Sequence, residues 1–314
     1  MSIFKSPQRL GLALIVFFFS NVTWSESKHN GPDAPAIAQR NESEDIVVRD
    51  FLGNEVRVKK PVKRIVALAP HIVENLFSAG AGNLVVGAVD YSDYPEAANK
   101  IPRVGAISAY SLEAIVALAP DLVVVWRSGH GGKVMEKLIE LGLVVYASDP
   151  RVVNDVAKSI RDFGRLAGTE EVAEKEASAF EKRIAGLRKR YANRLPVSAF
   201  YQVWNSPIQT INNDHIISNT ISLCGGENAF GAEIALAPKL SIESVIERNP
   251  AAIIASGMQD KRPDWLNDWR KWKNIDAVAN DHLFYIPPDI IQRHTVRIAD
   301  GAQLMCEHLD SARN

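Results

Sequence analysis

From Arg64 onward, short apolar runs alternate with stretches whose apolar residues recur every three or four positions. Residues 65–68, 85–89, 122–125 and 143–146 are rich in Val and Ile, the composition of strands buried on both faces. Between them, residues 71–79, 112–118 and 133–141 carry a helical period. Strands alternating with helices predict a parallel α/β layer. Ahead of it, residues 45–48 are a strand candidate, followed by 51–58 around a turn at Gly53-Asn54.

Gly168-Thr169 then opens a long helix. Thr169 is a candidate N-cap, and Glu170 and Glu171 fall in the first turn, where the helix dipole favours acid. Ala173, Ala177, Phe180, Ile184, Leu187 and Tyr191 form one apolar stripe, and Pro196 ends the pattern. Such a helix spans about 36 Å, enough to cross the back of a two-lobed protein. A second α/β stretch follows, with strand candidates at 198–203, 253–256 and 283–286 and helical patterns at 216–223, 242–248, 263–272 and 297–309. The two stretches share an element: Ser111-Leu112-Glu113 leading to Pro120 recurs as Ser241-Ile242-Glu243 leading to Pro250. Each copy runs into an apolar strand. The expected fold is therefore α/β, with two lobes built on parallel-rich sheets (45–167 and 196–314) joined by a single long interlobe helix (168–195).

The N-terminal segment changes the compartment. Lys5 and Arg9 precede an apolar run from Leu10 to Phe19, too short for a membrane span, and Thr23-Trp24-Ser25 offers a cleavage site. Residues 1–25 read as a signal peptide of an exported protein, and the polar residues 26–44 as a disordered lead-in. Removing Lys5 and Arg9 takes the formal charge from −1 to −3. Such a balance gives no basic face for nucleic acid. The two cysteines, Cys224 and Cys306, suit one disulfide in an exported chain, with two buried free thiols as the alternative.

Enzyme signatures are lacking: there is no G-x-S-x-G, H-E-x-x-H or complete Walker A sequence. The glycine-rich Gly129–Lys133 segment reads as a strand-to-helix turn, and the seven histidines show no metal-ligand spacing. Trp265, Trp269 and Trp272 fall at i, i+4 and i+7; packing against the C-terminal lobe is the expected use, ligand stacking the alternative.

Several segments together resemble a known family. They are Arg64–Pro70, the Tyr91-Ser92-Asp93-Tyr94-Pro95 turn, Leu112–Val123, Trp126-Arg127, Leu223-Cys224-Gly225-Gly226-Glu227-Asn228, and Asp289 with Arg293. Over residues 64–309 the chain resembles the cobalamin branch of the siderophore, haem and cobalamin binding proteins that serve ABC importers. The resemblance implies a helix-joined pair of lobes with ligand in the cleft between them, and a Cys224–Cys306 bridge. It implies no catalysis and no cofactor, the ligand being cobalamin or a related corrinoid. The partner would be an inner-membrane permease dimer with its ATPase subunits, met by a monomer in the periplasm.

The resemblance assigns Tyr91, Trp126, Asp289 and Arg293 to the ligand, and His71 follows the first strand closely enough to join them. Core packing for Trp126, an i,i+4 ion pair for Asp289 and Arg293, and a plain helix start for His71 are the competing readings. Glu113 and Glu243 align with carboxylates that dock onto arginine pockets of the permease; otherwise each is an acid favoured in a first helical turn. The sequence departs from the family at Ile107, Ala237 and Gln209, where cleft aromatics are expected. That departure bears on the ligand, with ferric siderophore or haem as rivals, and leaves the transport role untouched. For haem, Tyr91, His71 and His294 are the candidate axial ligands. An exported chelatase-like enzyme on the same scaffold is the rival from another class.

Overall fold

The computed structural model describes residues 45–257 and 261–313; the signal-peptide and lead-in expectations lie outside them. The N-terminal sheet orders its strands Val85–Ala88, Ile65–Ala67, Leu122–Trp126 and Val145–Ser148, all parallel. The C-terminal sheet orders Gly226–Asn228, Val197–Gln202, Ala252–Ala255 and Leu283–Tyr285, again all parallel. Successive strand side chains point to opposite faces, and the burial follows that rule. Ile65, Ala67, Leu122 and Val124 enter one core while Val66, Val123 and Val125 enter another. In the second sheet Ala199, Tyr201 and Ile254 face the first core, and Phe200, Ile253 and Ala255 face a third.

One core is thus common to both lobes, and each lobe has a second of its own. The common core is closed by the interlobe helix Glu170–Tyr191, which buries Ala173, Ala177, Phe180, Ile184 and Tyr191. Its length is about 33 Å. Shared apolar surface, rather than a tether alone, couples the two sheets.

The helix Asp155–Ala167 was not anticipated. It buries Val156, Ile160, Phe163 and Leu166 and ends at Gly168, whose φ of 72° suits a glycine C-cap. It packs on the interlobe helix so closely that a Cβ on Gly164 would stand 2.3 Å from the Ala173 Cβ. Thr169 differs from expectation as well. Its hydroxyl donates to the Ala79 carbonyl at 2.7 Å, tying the helix start to the first lobe, and makes no cap. The helix stops at Tyr191, short of Pro196. The ring of Pro196 disfavours helical backbone in the residue before it, so the chain turns earlier to enter strand Val197–Gln202.

The Gly129–Lys133 segment is also more ordered than a simple turn. A helical turn, Arg127–His130, follows the strand directly, and Gly131 (φ 76°) redirects the chain into helix Gly132–Glu140. Asp264–Lys271 is a 3-10 helix, so the α-helical period assigned to the three tryptophans does not hold. Trp269 is buried, with its indole N–H donating to Gln202 Oε1 at 2.7 Å, and Trp265 and Trp272 pack on the same core.

The cysteines are bridged, Cys224 to Cys306. The bond fastens the end of helix Ile216–Leu223 to helix Ile298–Ser311 across 82 residues of sequence, worth about 4 kcal/mol in the chain-entropy account. No helix among the described residues is long and apolar enough to cross a membrane.

Candidate functional site in the cleft between the lobes

In parallel sheets, ligands meet the carboxyl ends of the strands, and here the two carboxyl edges face each other. His71 and Trp126 stand at the edge of the first sheet, one on the helix after strand Ile65–Ala67, the other ending strand Leu122–Trp126. His294 follows helix Pro288–Ile291 at the edge of the second. The His71 ring lies 5.2 Å from Trp126 and 5.3 Å from His294; Trp126 and His294 are 6.1 Å apart. His215 extends the group, 5.6 Å from His294.

His71 and His294 are buried, Trp126 and His215 half-buried, and the imidazoles are neutral. Desolvation holds the His71 imidazole down to about 3, with the charges of His130 and Arg293 adding to the effect. Burial lowers His215 to about 4 and takes His294 well below its usual value. His71 Nε2, His294 Nδ1 and Trp126 Nε1 have no hydrogen-bond partner. Unpaired buried polar atoms are costly, and three of them in one contact group at a cleft mark a place where a ligand's polar atoms would be received. Among the described residues no group of three or more His, Cys, Asp or Glu could hold a metal ion.

Beside this group runs an ion-pair network that crosses from lobe to lobe. Glu74, only 3% exposed, accepts from Arg293 Nη1 at 2.8 Å and from Arg297 Nη2 and Nε at 2.8 and 3.0 Å. Arg293 also reaches Asp93 at 2.8 Å and Asp289 at 3.0 Å. Arg297 stacks over the Tyr94 ring, 4.0 Å from its centroid. Burial would raise the Asp93 pKa, but the Arg293 hydrogen bond and charge outweigh it and hold the carboxyl below its usual range. The Asp93-Tyr94 turn of the first lobe is therefore held by two arginines of the second.

The sequence-assigned residues are distributed over these two groups. His71 and Trp126 belong to the neutral group, Asp289 and Arg293 to the ion-pair network, where the i,i+4 pair is formed. Tyr91 stands apart, 79% exposed and in left-handed backbone with φ 62°. Sequence reasoning assigned no role to Glu74 or Arg297, and met Asp93 only as part of the Tyr91–Pro95 turn. The one local signal for Glu74 was an acid set among Ile72, Val73 and Leu76.

Glu113 and Glu243 sit elsewhere, each second in a short helix capped by serine. Ser111 Oγ accepts from the Ala114 N–H at 3.0 Å and donates to Glu113 Oε2 at 2.9 Å; Ser241 Oγ accepts from the Ser244 N–H at 3.2 Å. Both carboxylates are fully exposed. Their own backbone N–H groups and the serine hydroxyls lower both pKa values, so both carry charge at neutral pH.

Residues 65–290 match the family described as periplasmic binding protein. This chain belongs to that family. Its relatives include the vitamin B12-binding protein of Vibrio campbellii, 36% identical over 256 residues that cover 81% of this chain and 91% of the relative. The vitamin B12-binding protein of Vibrio cholerae is 34% identical, with 81% and 91% covered. A crystal structure of periplasmic vitamin B12 binding protein BtuF of Vibrio cholerae superposes with a TM-score of 0.76 at 33% identity, covering 81% of this chain and 99% of that one. The periplasmic haem-binding protein RhuT from Roseiflexus shares the fold, with a TM-score of 0.67 at 23% identity and 80% and 99% covered.

Proposed function

We propose that this protein captures cobalamin or a related corrinoid in the cleft between its lobes and delivers it to an ABC importer. The observation that carries the reading is the likeness to vitamin B12-binding proteins, which runs nearly the full length of those relatives at 33–36% identity. The chemistry of the cleft agrees with it. A corrinoid is a large macrocycle edged with neutral amides. It suits an aromatic and imidazole wall carrying unpaired polar atoms more than a strongly charged one. Trp126 supplies apolar area, His71 and His294 receive peripheral polar groups, and the exposed Tyr91 ring covers the open side of the ligand.

The ion-pair network weighs against a ferric siderophore with anionic groups. Such a ligand needs cleft arginines to spare, and Arg293 and Arg297 are engaged by Glu74, Asp93 and Asp289. Haem is the second reading, because His71 Nε2 and His294 Nδ1 are neutral nitrogens without partners. Asp289 and Arg293 act on the ligand indirectly in this reading, by holding the Asp93-Tyr94 turn beside it.

The protein acts by binding, and the energy for uptake comes from the importer's ATPase subunits. It works as a monomer in the periplasm after removal of residues 1–25. Glu113 and Glu243, one per lobe, meet arginine donors on the two permease subunits and form charge-assisted hydrogen bonds. The test separates two assays on the Glu113→Ala/Glu243→Ala protein. Cyanocobalamin affinity and melting temperature stay at wild-type values, while uptake through the reconstituted importer falls sharply and wild-type docking weakens with salt. Unchanged uptake would reduce both carboxylates to helix-start residues. A collapse of ligand affinity would move them into the cleft.

A further inference from the structure

Each docking carboxylate has a cavity beside it, and the two cavities are built alike. In the first lobe a cavity of about 280 Å³ is walled by Tyr110, Leu112 and Val134 and rimmed by Lys133 and Lys137. In the second, one of about 190 Å³ is walled by Ile208, Ile242, Trp265 and Trp272 and rimmed by Lys271 and Asp268, which pair at 3.2 Å. Leu112 and Ile242 are equivalent positions. Each is the first helical residue after the capping serine, immediately before Glu113 or Glu243. The remaining walls correspond as well. One side is a short antiparallel hairpin, Gly105–Ala106 with Ala109–Tyr110 or Trp204–Asn205 with Ile208–Gln209. The other is the helix that follows the next sheet strand, Gly132–Glu140 or the 3-10 helix Asp264–Lys271. Ile242 is among the large apolar side chains left exposed, at the second cavity.

Each cavity is lined by residues of one lobe alone, and ligand capture between the lobes does not call for a matching apolar hollow in each. A partner that presents the same surface twice does. We infer that these cavities are paired sockets, each receiving one large apolar side chain from one of the two equivalent permease subunits. The inference rests on the docking role proposed for Glu113 and Glu243. It also specifies the partner segment. Because Leu112 and Ile242 adjoin the carboxylates in sequence, the apolar side chain lies within a few residues of the arginine that meets the glutamate. In the first socket the rim of Lys133 and Lys137 calls for an acidic group or a run of backbone carbonyls on the far side of that side chain; in the second, Lys271 is already paired with Asp268. The carboxylates then steer the encounter through long-range charge, and the sockets slow dissociation through desolvated apolar contact.

The sockets can be filled without touching either glutamate. Ala109→Trp places an indole at the first and Asn205→Trp at the second. The filled double variant should keep the wild-type melting temperature and cyanocobalamin affinity. Its affinity for the importer reconstituted in nanodiscs should fall by at least roughly tenfold, the scale of losing buried apolar anchors. That loss should persist across salt concentrations, whereas the loss in Glu113→Ala/Glu243→Ala shrinks as salt rises and wild-type docking itself weakens. If a filled variant melts early, Leu112→Ala/Ile242→Ala removes apolar wall without adding bulk and is expected to weaken docking in the same salt-independent way. Wild-type docking by the filled variant, beside failure of the glutamate variant, would overturn the sockets and leave the carboxylates standing. The opposite pattern would retain the sockets and remove the carboxylates. Loss of cyanocobalamin binding on filling would assign the cavities to the ligand. A dimer that dissociates on filling would assign them to a second copy of this chain; either result overturns the inference.

Discussion

Residues 111–126 and 241–256 are the same device used twice, and they differ where function would ask them to. Both begin with a serine cap and a first-turn glutamate. Both close the helix with a residue in left-handed backbone before a proline, Ala119 at φ 43° and Asn249 at φ 44°, and both then enter a central buried strand. At the strand ends they part. The first lobe puts Trp126 there, with an unpartnered indole nitrogen facing the cleft group; the second puts Ser256, buried and donating to the Ile286 carbonyl at 3.0 Å. Backbone geometry preserves the frame in both copies, while the residue at the carboxyl edge is free to diverge. In the reading proposed above the first lobe gives that position to the ligand, whereas the second uses it to hold its own sheet together.

The sharpest way to break the comparison is to cut what joins the two lobes. Glu74 is the acid of the first lobe that both arginines of the second require. Glu74→Ala should cost about 3–5 kcal/mol in urea unfolding, the range for removing one partner of a buried ion pair. A loss below about 1 kcal/mol would mean the arginines find other partners and the network does not join the lobes.

The neutral histidines give a smaller, pH-dependent effect. The folded-state pKa of His71, about 3, lies below its unfolded value of 6.5, so below 6.5 the unfolded chain takes up a proton that the native one refuses. Its contribution is complete above about pH 6.5 and is lost as pH falls towards 3. The slope is about 1.4 kcal/mol per pH unit, so this one histidine accounts for about 2 kcal/mol between pH 6.5 and 5. His71→Phe should flatten the fall in stability over that interval by this amount, as read from denaturant midpoints at the two pH values. An unaltered pH profile would place His71 in contact with solvent.

At the strand ends the two lobes should answer differently. Trp126→Ala should weaken cyanocobalamin binding by roughly tenfold or more. Ser256→Ala should leave affinity alone and cost about 1 kcal/mol of stability through the lost hydrogen bond. Equal effects on affinity would erase the distinction drawn between the two copies.

The smallest effects concern the left-handed residues. Asn adopts that backbone at less cost than Ala, and Asn249 Oδ1 also accepts from the Asp276 N–H at 2.8 Å. Asn249→Ala should cost about 1 kcal/mol, and Ala119→Asn should gain about 0.5 kcal/mol, both measurable by thermal unfolding.

The duplicated device was legible in the sequence because each part has a local cause: serine caps, a proline stop, and apolar runs of strand length. The strands, the interlobe stripe and helices 216–223 and 242–248 were legible for the same reason. Helix Asp155–Ala167 was not, because Ser159 and Gly164 lie on its buried face and dilute the apolar stripe. The ion-pair network was legible only at its i,i+4 edge, Asp289 with Arg293. Glu74 and Arg293 lie 219 positions apart, and only the fold brings them together. The tryptophan stripe indicated packing on the C-terminal lobe, as found, but not the helix type, because i, i+4, i+7 presupposes 3.6 residues per turn and the segment is a 3-10 helix.

The central claim is that the cleft is built for a corrinoid, and calorimetric titration of the mature protein tests it most directly. Cyanocobalamin should bind one to one, with an affinity that drops in Trp126→Ala and is unchanged in Ser256→Ala. No heat with any corrinoid, together with saturable binding of haemin or a ferric hydroxamate, would contradict it.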